Sequence, residues 1–179
     1  MYIWIACDLA RDLAEIREKC IEFNRDLHLS SVAFSLPQHV SLKISFSVDD
    51  ADAGEVIEAV ECYLSGQKPF LISKPEPEIF SNILWLSLPK NEHLERLHRE
   101  LDDMLLSRFG VPRHEYDKCF KFHSTLFIDD GESLKKMHER VSSLTMPSEL
   151  LVDGFIIGVS DSGKAGEYRV LKNITVKSK

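Results

Sequence analysis

Gln38-His39-Val40-Ser41-Leu42-Lys43 and Phe122-His123-Ser124-Thr125-Leu126-Phe127 carry one pattern, His-x-(Ser/Thr)-Leu, in apolar surroundings. On a β-strand successive side chains alternate faces, so a histidine and a hydroxyl two residues later point the same way. Each stretch therefore offers an acid/base group and a hydrogen-bond donor to the same space. The chain is organised around having two of them.

The first stretch opens a run of strict alternation. His39, Ser41, Lys43, Ser45 and Ser47 fall on one face; Val40, Leu42, Ile44, Phe46 and Val48 fall on the other. This predicts a half-buried strand whose apolar face is covered by helices and whose polar face looks into a cleft. The second stretch predicts a strand over residues 122–128, with Lys121, His123, Thr125 and Phe127 on one face.

Working outward, residues 2–8 read as a first strand. Residues 10–27 read as an amphipathic helix with Leu13, Ile16, Cys20, Phe23 and Leu27 in a stripe. After the first motif strand, Asp49-Asp50-Ala51-Asp52 favours a helix start, and Val56, Val60 and Leu64 give that helix its apolar side. Strands follow at 68–74 and 82–88, with Pro75 and Pro77 as breakers between them. Asn91 caps a helix with the stripe Leu94, Leu97, Leu101 and Leu105, stopped by Gly110-Val111-Pro112. Asp129-Asp130-Gly131-Glu132 opens a further helix, and residues 150–160 and 168–177 read as the last strands around a glycine-rich turn.

The order strand, helix, His-strand, helix, strand thus occurs twice. The histidines lie 84 residues apart and the leading strands, near Ile3 and Ile83, lie 80 apart. An internal repeat of this kind predicts one domain over 1–179 made of two similar lobes, about 1–80 and 81–179, related by a pseudo-two-fold axis. Such packing sets the two polar faces across a groove.

Bulk properties narrow the partners. The chain has 179 residues, 44% hydrophobic and 28% charged, and a formal net charge of −7. An acidic protein is a poor binder of long duplex nucleic acid, so a nucleotide ligand is expected as an end or a small molecule. Arg113, His114, Lys118 and Lys121 before the second motif, and Lys164, Arg169, Lys172, Lys177 and Lys179 near the C-terminus, are the local basic exceptions. No apolar run approaches a membrane span. Tyr2-Ile3-Trp4-Ile5 reads as a core strand rather than a signal peptide, so a cytoplasmic monomer without membrane association is expected. Cys7, Cys20, Cys62 and Cys119 are scattered and form no Cys-x-x-Cys, and the histidines lack ligand spacing; no metal and no cofactor is expected.

Two histidines opposed across a groove supply an acid and a base near neutral pH. Hydroxyls beside them can donate to phosphoryl oxygens as charge builds there. The reaction this suits is in-line displacement at a phosphodiester. Tyr116, Phe120 and Tyr168 are candidates for stacking on a base.

The paired motifs His39-Val40-Ser41-Leu42 and His123-Ser124-Thr125-Leu126, with Pro37 before the first and Lys43 after it, resemble the two-histidine phosphoesterase superfamily. The resemblance is to its LigT-like proteins, which include bacterial 2′-5′ RNA ligases and RNA 2′,3′-cyclic phosphodiesterases. It spans essentially the whole chain and implies a bilobal α+β fold with antiparallel sheets lining a central groove. It also implies His39 and His123 as the catalytic pair, with His123 as base and His39 as acid. Ser41 and Thr125 would bind phosphate, and Lys43 would be an auxiliary positive charge. The chain departs from the family's usual wording in three places: Ser41 stands where threonine is commoner, a glycine after the first motif strand is missing, and Phe127-Ile128 replaces an arginine after the second motif.

The function implied is metal-independent hydrolysis of a 2′,3′-cyclic phosphate, or a related 2′-linked phosphodiester, on a nucleotide or RNA end. The alternatives are 2′-5′ RNA ligase-type chemistry, a small cyclic nucleotide as substrate, and a non-catalytic nucleotide-binding module.

Overall fold

The computed structural model describes residues 1–129 and 131–177. Asp130 of the expected helix start and Lys179 of the basic C-terminus lie outside the described residues. The first half runs β1 (Tyr2–Asp8), α1 (Ala14–Asp26), β2 (His39–Ser47), α2 (Asp50–Ser65) and β3 (Phe70–Ser73), followed by β4 (Glu76–Phe80). The second half repeats the order with β5 (Ile83–Ser87), α3 (Glu92–Phe109), β6 (His123–Ile128), α4 (Gly131–Ser142) and β7 (Glu149–Val152), followed by β8 (Gly154–Ser160) and β9 (Arg169–Thr175). Both motif histidines stand at the first position of their strands.

Among the described residues the strands form three antiparallel sheets, ordered β2-β1-β8-β9, β4-β5-β6 and β3-β7. The β3–β7 ladder joins the fifth elements of the two halves to each other. From it the chain exchanges sides. β4 leaves β3 to join β5 in the second sheet, and β8 leaves β7 to join β1 in the first. The helices cross in the same way: α1 packs on α4 and β6, while α3 packs on α2 and β2. This reciprocity makes two pseudo-symmetric lobes that share one core.

The helices bury the stripes their sequences announce. Leu94, Leu97, Leu101 and Leu105 of α3 are fully buried, as are Val56, Val60 and Leu64 of α2. Asn91 accepts hydrogen bonds from the backbone N–H groups of His93 and Leu94 and so caps α3. Gly110 ends the helix in the left-handed conformation at φ 65°, where a side chain would be strained. The central strands β1, β5 and β8 are buried nearly throughout.

Three boundaries differ from the sequence reading. The break expected after the first of the strands at 68–74 and 82–88 is present, since β3 ends at Ser73 and Pro75 precedes β4 in another sheet, but β4 itself is unexpected and runs through Pro77. It is an edge strand paired only with β5, the place in a sheet where proline is tolerated. The expected strand 150–160 is two strands, interrupted at Asp153, because its halves belong to different sheets. Helix α1 begins at Ala14 rather than at residue 10, after a hydrogen-bonded turn in which Leu13 N–H donates to the Leu9 carbonyl. No helix among the described residues is long and apolar enough to cross a membrane.

Candidate active site

Both histidines are held by their own backbone. His39 Nδ1 lies 2.8 Å from the Pro37 carbonyl, and His123 Nδ1 lies 2.8 Å from the Lys121 carbonyl. A carbonyl only accepts, so each Nδ1 carries the proton and donates it. Each Nε2 is thereby left as the nitrogen that gives or takes a proton. The two rings are the same tautomer, fixed in the same way, two residues back along the chain.

A tryptophan walls each ring. Trp4 lies 4.6 Å from His39 between ring centres, and Trp85 lies 4.2 Å from His123. Trp85 is stacked in turn on Phe80, at 4.7 Å and 7° between planes, and the Lys121 ammonium sits over the Phe80 ring.

The register is continuous over the motifs. Asp8, Cys7 and Ala6 face His39, Val40 and Ser41, while Ser87, Leu86 and Trp85 face His123, Ser124 and Thr125. Val40 and Ser124 are fully buried, whereas His39, Ser41, His123 and Thr125 are half-buried on the other side. Each histidine thus shares its face with its hydroxyl. Behind that face, Ser124 Oγ donates to Gln38 Oε1 at 3.0 Å, a buried bond from β6 to the residue just ahead of β2.

The strands bring the motifs together. His39 and Thr125 line one recess of about 240 Å³, with Val32, Leu36, Pro37 and Tyr168 on its walls and no charged side chain. Burial pushes both imidazoles below the usual histidine value. For His39 the bond to Pro37 opposes this, the charge of His123 lowers it further, and Asp8 raises it. For His123 the bond to Lys121 opposes the burial. β2 packs against β6, and a proton on His123 disfavours one on His39.

Other expected site residues lie elsewhere. Lys43 does not share the groove face with His39. β2 bulges between Ser41 and Lys43, so the consecutive residues Leu42 and Lys43 are both buried on the helix side. The Lys43 ammonium is 2.5 Å from Asp102 Oδ1 and also pairs with Asp117. β6 bulges at the equivalent place, and Phe127, expected on the His123 face, is fully buried in the core. Of the proposed stacking residues, Tyr168 lines the recess with His39, Phe120 stacks on His98 at 4.4 Å, and Tyr116 is 66% exposed beside His114. Of the basic residues, Arg113 is paired with Asp102 and Asp103, and Lys172 with Glu61.

His98, Asp102 and Asp117 offer ligand atoms within 4.8 Å of one another, the one such grouping among the described residues. Lys43 already places its cation against both carboxylates. A cavity of about 430 Å³ opens near the end of β2 with Asp49, Asp52, Glu55 and Arg108 on its walls. Three carboxylates repel an anion, so chemistry favours the smaller recess, which His39 and Thr125 line while His123 and Ser41 lie outside its walls.

Sequence reading missed Trp4, Trp85, Phe80 and the Gln38–Ser124 bond. The tryptophans stand on strands next to the motifs, and no local pattern ties them to a histidine. The Gln38–Ser124 partners are far apart in the chain.

No protein-family model matches the chain, and no curated protein matches its sequence. Solved structures do match. E. coli LigT complexed with 3′-AMP superposes with a TM-score of 0.66 at 20% identity, covering 98% of both chains. A structure described as a phosphoesterase gives 0.61 at 21% identity, again covering 98% of both chains. TT0787 of Thermus thermophilus gives 0.58 at 18% identity, covering 98% of this chain and 97% of that one. The element order, the crossed sheets and the match over nearly the full length of each structure lead to one conclusion: this chain has the LigT-like α+β fold, the architecture of the two-histidine phosphoesterases that its motifs resemble.

Proposed function

We propose that this chain is a phosphoesterase that hydrolyses a 2′,3′-cyclic phosphate, or a related 2′-linked phosphodiester, on a nucleotide or RNA end. The observation that carries the reading is the matched pair of imidazoles, each with Nδ1 pinned to a backbone carbonyl and Nε2 left to exchange protons. In the proposed reaction His123 Nε2 takes a proton from water as the water oxygen bonds to phosphorus. The bond from phosphorus to the ribose oxygen breaks in line. His39, entering as imidazolium, gives its Nε2 proton to that departing oxygen. Ser41 and Thr125 hydroxyls donate to the non-bridging oxygens as negative charge builds on them. Run backwards, the same steps form a 2′ linkage.

The likeness to LigT, solved with 3′-AMP and with ATP, supports a nucleotide ligand. The uncharged recess beside His39, with Tyr168 on its wall, suits a base. No step requires a metal ion.

The test is turnover of 2′,3′-cyclic nucleotides and 2′-5′-linked dinucleotides in the presence of EDTA, followed by phosphorus NMR. We expect a monoester product at an undiminished rate. His39→Ala and His123→Ala should each lower the rate by about 10²–10⁴-fold, the usual size of an acid/base contribution, with the circular dichroism unchanged. Wild-type turnover in either variant would remove the histidine pair from the mechanism.

A further inference from the structure

The polar cluster behind β2 bears on His123 although it lies outside the groove. Lys43 is 1% exposed and its two carboxylate partners come from different elements: Asp102 from α3, and Asp117 from the turn Glu115–Cys119. That turn begins the approach to the second motif. The Asp117 carboxylate also accepts the backbone N–H of His114 at 2.6 Å, closing the turn. His98 of α3 holds the next residues. Its Nδ1 is 2.7 Å from the Leu42 carbonyl and its Nε2 is 3.3 Å from the Asp117 carbonyl. Its ring stacks on Phe120 at 4.4 Å and meets Phe122 edge-on at 6.0 Å. Between those two aromatics is Lys121, whose carbonyl fixes the His123 tautomer.

The geometry points to Lys43, Asp102 and Asp117 as positioning residues for His123: a buried charge cluster that fixes the segment Arg113–Phe122, and through the Lys121 carbonyl the direction of His123 Nε2. His39 is pinned through Pro37, which belongs to a different segment. The cluster meets β2 only at Leu42 and Lys43, beyond the His39 clamp, whereas through Asp117 it holds the segment that carries the His123 clamp, so its larger effect falls on His123. A general stabilising role would affect both alike. The buried bond from Ser124 of β6 to Gln38, just ahead of β2, stands apart from the cluster.

The inference concerns the site proposed above, and its test reads the rings without a substrate. Histidine nitrogen and proton NMR of the free protein is recorded for wild type and Lys43→Met, which removes the cation and keeps most of the side-chain volume. We expect the His123 Nδ1–H signal to broaden or be lost while the His39 signal stays in place. On a cyclic nucleotide that the wild type turns over, kcat should fall by about 10–100-fold with KM changed less than about threefold, as for a catalytic group held about 1 Å off line. Asp117→Asn removes one charge and keeps the shape, and is measured alongside in case Lys43→Met does not fold; the same one-sided change is expected. A folded variant with both histidine signals unmoved would overturn the inference, and so would one with both shifted equally. Absence of turnover in the wild type would count against the proposed reaction and leave the NMR comparison standing.

Discussion

At the fourth residue after each motif histidine, β2 carries Lys43 and β6 carries Phe127, and both side chains are buried. The same bulge puts them there, since each strand slips register just beyond its hydroxyl residue. Behind β6 the position is filled as ordinary core, with Phe127 6.3 Å from Phe34. Behind β2 it is filled by an ammonium and two carboxylates. The groove side differs as well. By register Ala6 is the counterpart of Trp85, and Gly158 the counterpart of Phe80. Trp4 nevertheless reaches His39, because Gly158 has no Cβ to meet its indole. What the lobes share is the backbone path that presents a histidine, a hydroxyl and a carbonyl to hold Nδ1. The side chains that support this path are different solutions on the two sides.

The largest stability effects should expose that difference. Phe127→Ala leaves a cavity and should cost about 3–5 kcal/mol in urea unfolding. Lys43→Ala should cost about as much, because it strands two buried carboxylates. Replacing Lys43, Asp102 and Asp117 together with Met, Leu and Asn should restore most of the stability, since an apolar core of similar volume serves as well as a buried ion cluster. A triple variant as unstable as Lys43→Ala would show that the two positions are not alternative fillings of one place.

A smaller effect is expected on the groove side. Gly158→Ala forces a Cβ into the Trp4 indole and should cost about 1–3 kcal/mol. It should also shift Trp4 fluorescence and the His39 ring signals. Phe80→Ala removes a ring that is 47% exposed and should cost less. Equal costs would mean that the two tryptophan walls are built alike after all.

The sequence made the helices and the two motif faces legible because both rest on local periodicity. His39 and Ser41, like His123 and Thr125, share a face as alternation requires. Alternation also misleads, since it assumes a regular strand. A bulge adds a residue without any signature in composition, and so the pattern puts Lys43 and Phe127 in the groove. Pro77 of β4 reads as a breaker because nothing local says that the strand lies at an edge. Lys43 with Asp102 and Asp117, and Gln38 with Ser124, meet only through tertiary packing, and each partner alone reads as an ordinary polar residue.

The dependence of kcat/KM on pH for a 2′,3′-cyclic nucleotide, in wild type and in each single histidine variant, tests the pair most directly. The active form carries one proton between two imidazoles, so the wild-type profile should be a bell: protonation of the base removes activity on the acid side, and loss of the acid's proton removes it on the other. Burial lowers both histidines, so the bell should centre below about 6.5. In His123→Ala the acid-side limb should vanish, and in His39→Ala the alkaline limb, from the small activity that remains. A wild-type bell retained in either variant would contradict the two-histidine account.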